Sequence, residues 1–106
     1  MGRRETVAKV RITDQFRAGP SMVYDLKCDG IRLSLFMTFS ADISRWTIRA
    51  EAKQIPQPGQ AQATGSSREE ALGVLASAWR EQSGVIGYPP VDWTAIREAL
   101  VAVRAV

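Results

Sequence analysis

With no histidine and a single cysteine, the chemistry open to this chain rests on carboxylates, hydroxyls and cations. Losing imidazole removes the usual general base near neutral pH and every serine or cysteine triad built on it. One cysteine without histidine gives no zinc ligand set, so no metal is expected. Cys28 falls on the apolar side of a candidate strand, where a buried, inert thiol is expected rather than a nucleophile. Neither G-x-x-x-x-G-K-[ST] nor G-x-G-x-x-G occurs, so no glycine loop cradles a phosphate. The carboxylates that remain are Asp25 and Glu51 on one candidate sheet face and Asp14, Asp29 and Asp42 in expected turns. Strand carboxylates beside Lys27 and Arg49 read as cross-strand partners, and turn aspartates as acceptors for backbone N–H groups. The expectation is a non-enzymatic chain with no catalytic residue and no cofactor.

The cations are the better lead. The net charge is +3, with a pI near 9.5, a mild excess that attracts phosphates but falls short of a polycation. Its distribution is uneven. Ten Arg and Lys face six acids in residues 1–60, whereas four Arg face five acids in residues 61–106. Lys9, Arg11, Lys27, Arg32, Arg49 and Lys53 fall on the outward register of candidate strands, together with one aromatic ring, Phe36. Cations give salt-dependent affinity for a phosphate backbone and a ring can stack on a base, so these seven are the candidate nucleic-acid contacts. A solvated sheet face also carries such residues, because charge discourages edge pairing.

The elements that position them follow from periodicity. Alternation with period two marks four strands. VAKVRI places Ala8, Val10 and Ile12 inward; MVYDLKC places Met22, Tyr24, Leu26 and Cys28 inward; IRLSLFMTF does so for Ile31, Leu33, Leu35, Met37 and Phe39; RWTIRAEAK for Trp46, Ile48, Ala50 and Ala52. Asp29-Gly30 supplies the positive φ of a tight hairpin, and SADIS a turn, so the last three form an antiparallel meander. QIPQPGQAQATGS reads as a loop in which AQAT adds a short edge strand. In TGSSREEALGVLASAW, Ser66 or Ser67 with Glu69 or Glu70 forms a capping box, and Ala71, Leu72, Leu75, Ala78 and Trp79 form a buried stripe. Asp92 caps a second helix whose stripe is Trp93, Ile96, Leu100 and Val103.

Two amphipathic helices and one apolar sheet face predict a single α+β domain over residues 1–106: a two-layer sandwich, a four-stranded antiparallel sheet with a short fifth strand added, covered on one face by two C-terminal helices. No apolar run approaches a membrane span of roughly 18 residues and no apolar segment backs the charged start, so a cytoplasmic, membrane-free protein is expected. The partners expected are nucleic acid or, alternatively, a protein or second copy docking by an edge strand, the helical face or the loop of Tyr88, Pro89 and Pro90. A ligand pocket lined by Trp46, Trp79 and Trp93 is a third reading.

Over some sixteen residues, TGSSREEALGVLASAW resembles the strand end and helix start of HicB-type antitoxins, where a glycine, a capping Ser or Thr and Glu-Glu-Ala precede a helix lying on a sheet. Four strands precede it here, and no DNA-binding ribbon or helix-turn-helix follows. The order of four strands and then a helix is similar to Whirly and Pur-alpha repeats, which bind single-stranded nucleic acid on a curved sheet. That similarity lies in element order without a shared motif. No functional residue is carried over from either family.

Overall fold

Asp29 and Gly30 both take positive φ, 49° and 82°, and close a two-residue hairpin whose twist suits the strands on either side. Those strands are β2 (Ser21–Cys28) and β3 (Ile31–Ser40), part of a sheet completed by β1 (Val10–Ala18), β4 (Arg45–Ala52) and β5 (Gly59–Gly65). The computed structural model describes residues 10–53 and 59–106, so Lys9 and the expected inward Ala8 lie outside the described residues. The strands lie in the order β1-β2-β3-β4-β5, each antiparallel to its neighbour. Helices α1 (Arg68–Ile86) and α2 (Trp93–Ala102) cover one face, α1 on β4 and β5 and α2 against β1. This is the expected α+β two-layer sandwich, with the fifth strand seven residues long.

The core lies between the layers. Tyr24, Leu26, Cys28, Leu33, Leu35, Met37, Ile48, Ala50 and Ala52 from the sheet meet Ala71, Leu72, Leu75, Trp79, Trp93, Ile96 and Leu100 from the helices, and all are buried. Cys28 is 1% exposed, as an inert thiol should be. Three expectations need correction. Asp14 lies not in a turn but within β1, which runs on past Ile12 because a bulge at Thr13 lets pairing resume at Asp14 and Asp25. Phe39 is 46% exposed, because it sits at the end of the sheet, where its ring packs on Trp46 at 5.2 Å. Val103 is also exposed, because α2 stops before it: Arg104 takes a φ of 61° and the Ala105 N–H donates to the Leu100 carbonyl at 2.8 Å, a Schellman ending that buries Ala105 in its place.

Helix α1 starts where its capping residues dictate. The Ser67 hydroxyl accepts from the Glu70 N–H at 3.0 Å, and the Glu70 carboxylate accepts from both the N–H and the hydroxyl of Ser66. The two Ser66 hydrogen bonds, its N–H first and its hydroxyl second, hold the Glu70 carboxyl below its ordinary range, with Arg45 adding a smaller pull the same way. Just before the cap, β5 passes so close to the helix that a Cβ on Gly65 would stand 2.5 Å from the Ala71 nitrogen. Gly65→Ala must therefore push β5 and the first turn of α1 apart. We expect it to cost about 1–3 kcal/mol, the usual penalty of overpacking, measured as a lower urea midpoint at unchanged slope. An unchanged midpoint would contradict this close approach.

Candidate functional site

The face of the sheet turned away from the helices carries the charged candidates, and strand register decides which of them meet. Arg11 pairs with Lys27, and Lys27 pairs with Arg32. The Lys53 N–H donates to the Arg32 carbonyl at 3.1 Å, which adds a fourth cation to the same row. All four are exposed. With strands about 4.8 Å apart, the row is about 14 Å long and crosses four strands. Like charges directly opposite each other destabilise a sheet, so this alignment works against the fold. Among the described residues, the ion pairs are Arg49 with Glu51 and Arg97 with Glu69, and neither involves the row.

The rest of the face is banded. Two residues along, about 7 Å away, comes a row of Asp14, Asp25, Ser34 and Glu51. Its carboxylates are partly engaged: Asp25 accepts from the Ser34 hydroxyl at 2.7 Å, Asp14 from the Gln15 N–H at 2.9 Å, and Glu51 lies 3.5 Å from Arg49. A recess of about 260 Å³ opens between the cationic and acidic rows, where Arg32 and Lys53 face Thr13, Asp25 and Ser34. The third row is Phe16, Val23, Phe36 and Arg49, and the fourth runs from Ala18 through Ser21, Thr38 and Thr47 to Thr64.

The structure thus brings Arg11, Lys27, Arg32 and Lys53 together and sets Arg49 and Phe36 apart from them. Lys9 lies outside the described residues. Phe36 is half-buried, and its ring is capped by the Arg49 guanidinium at 4.3 Å, so the stacking surface on offer is the pair rather than a bare ring. A more open ring is Phe16, 43% exposed on the same face, which inspection of the sequence missed. Strict alternation from Val10 and Ile12 puts residue 16 inward; the bulge at Thr13 reverses the parity and turns it outward. The break in alternation at Thr13-Asp14 is the signal that would have found it.

In the loop after α1, Tyr88 and Pro89 serve the core. The Tyr88 hydroxyl donates to the Gln60 carbonyl at 2.8 Å, the Trp79 indole donates to the Pro89 carbonyl at 2.9 Å, and Pro90 alone of the three is exposed. Of the three tryptophans, Trp79 and Trp93 pack edge-on at 5.8 Å, while Trp46 lies against Phe39 and Arg68.

Fold and face together define an α+β sandwich whose antiparallel sheet carries a banded face away from the helices, charged along its exposed rows and closed over at its middle, where Val23 is 1% and Ser34 7% exposed. The sequence matches no protein-family model, and no similar curated protein and no similar solved structure was found. Among the described residues, no helix is long and apolar enough to cross a membrane, and no group of three or more His, Cys, Asp or Glu converges as a metal site would require.

Proposed function

We propose that this is a small, non-enzymatic binding protein of the cytoplasm that holds a short segment of single-stranded nucleic acid on the sheet face away from the helices. The observation that carries this reading is the in-register row of Arg11, Lys27, Arg32 and Lys53, a like-charge alignment that costs stability and has no carboxylate partner among the described residues. Phosphates along the row meet all four cations, and bases directed over the face meet Phe16 and the Arg49-capped ring of Phe36. A duplex presents no unstacked base to those rings. The acidic row limits strength. In water a phosphate gains about 1 kcal/mol from a cation at ~4 Å and loses about 0.6 kcal/mol to a carboxylate at ~7 Å, so attraction wins by a modest margin.

Fluorescence anisotropy with labelled single strands and duplexes of DNA and RNA tests this. Single strands should bind at low salt in preference to duplexes. Four contacts on a single strand set a slope of log K against log salt no steeper than about −3. No binding at low salt would end the reading.

One observation favours a second reading, a protein–protein module or homodimer. β1 is an edge strand whose residues 13–18, Phe16 included, are exposed, so its outer edge is open among the described residues for another strand to pair with. A strict monomer in light scattering across concentration would leave the homodimer without support.

A further inference from the structure

The helical layer, on the opposite side from the cationic row, contains a recess of about 320 Å³ between α1 and α2. That volume lies at the lower end of small-molecule pockets, which span roughly 300–1,000 Å³. Leu72 and Ala76 of α1 and the indole of Trp93 give it an apolar lining, and Arg80 and Arg97 stand at its rim. Arg97 is committed to Glu69 across the mouth, whereas Arg80 is exposed and has no carboxylate within ion-pair distance among the described residues.

Two features are unexplained by the fold alone. Gly73 lies on the recess in the interior of α1, and a Cβ there would meet nothing within 4 Å. Glycine weakens a helix interior, so no packing within the described chain accounts for it. The Trp93 indole N–H is buried without an acceptor, although Trp79 satisfies its own through Pro89. Buried donors in a finished interior are normally paired.

We propose that this recess binds a small monocarboxylate with a flat apolar body. The body lies over the bare backbone at Gly73, between Ala76 and the Trp93 ring, and the carboxylate pairs with Arg80 in the charge-assisted geometry that guanidinium offers. The Trp93 N–H is buried, so an oxygen reaches it only as the indole shifts. Binding therefore perturbs Trp93 more than the other tryptophans.

The test uses benzoate and phenylacetate as probes, with benzamide and phenylacetamide as their uncharged counterparts. Each of the three tryptophans gives one indole N–H signal in a two-dimensional NMR spectrum, and Trp93→Phe assigns the one of interest. A carboxylate should shift the Trp93 signal saturably, with the matched amide at least tenfold weaker. Arg80→Gln should weaken binding at least tenfold. Gly73→Leu should abolish it without lowering the melting temperature, since the added side chain fills the recess and leucine is the better helix former. The proposal is overturned if the Trp93 signal stays fixed at millimolar carboxylate, if amide and acid bind alike, or if Arg80→Gln leaves affinity unchanged. Arg80 is exposed, so that last variant remains informative even if Gly73→Leu fails to fold.

Discussion

Trp79→Ala is expected to destabilise the protein by about 3–5 kcal/mol, the range for truncating a buried aromatic residue, out of the ~5–15 kcal/mol typical of a domain. The side chain is 1% exposed and joins three parts of the fold. Its ring packs on Tyr88 at 4.9 Å and edge-on against Trp93 at 5.8 Å, tying α1 to the loop and to α2. Its N–H holds the Pro89 carbonyl, which would otherwise be buried unpaired. Beneath it, β5 begins at Gly59, where a Cβ would stand 2.8 Å from the indole. No other side chain fills that volume, so alanine leaves both a cavity and an orphaned carbonyl. At ~4–8 °C per kcal/mol for a chain of this size, the melting temperature should fall by at least about 12 °C in calorimetry. Trp79→Phe keeps most of the ring and loses the hydrogen bond, so it should cost about 1–2 kcal/mol. Equal losses for the two variants would show that the hydrogen bond, not the filled volume, holds the helices on the sheet.

Trp79 also shows how much of the core the sequence pattern specifies. Its place on an i, i+3, i+4 stripe with Leu72 and Leu75 marks it as core, as period-two alternation does for Leu33, Leu35 and Ile48. Local pattern carries that information because one face of each element is either wet or dry. It carries less wherever the chain leaves regular geometry. The bulge at Thr13 moves Asp14 and Phe16 to the outer face, and the left-handed Arg104 exchanges Val103 for Ala105 as the buried residue. Ala76 lies outside the expected stripe yet is 7% exposed, because α2 approaches α1 from that side. The cationic row depends on something less local still. Each of Arg11, Lys27, Arg32 and Lys53 is visibly outward on its own strand, but their alignment follows from pairing across four strands, which alternation within one strand does not specify.

Reversing one charge in that row separates function from stability. Lys27 stands between Arg11 and Arg32, directly opposite each on its neighbouring strand. Lys27→Glu turns two like-charge pairs into two opposite-charge pairs, each worth about 0.2–1 kcal/mol, so the folded state should become more stable, not less. The urea midpoint should rise. On the binding side, the same change removes about 1 kcal/mol of attraction and adds a similar repulsion toward a phosphate at contact distance, so single-strand affinity at low salt should fall at least tenfold. Lys27→Glu with Arg32→Glu should deepen the loss to at least a hundredfold. Asp25→Asn with Glu51→Gln should act in the other direction, raising affinity by a few fold, while the amide that replaces the Asp25 carboxylate keeps an oxygen able to accept from the Ser34 hydroxyl. Arg45→Glu is the control, because Arg45 pairs with Ser40 at the far end of the same face. An equal loss there would mean that affinity comes from net charge alone and that the row is only a solvated edge of the sheet. A stability gain coupled to a binding loss at Lys27, and neither effect at Arg45, is what an alignment kept for a ligand predicts, since a row that served only the fold would lose stability when broken.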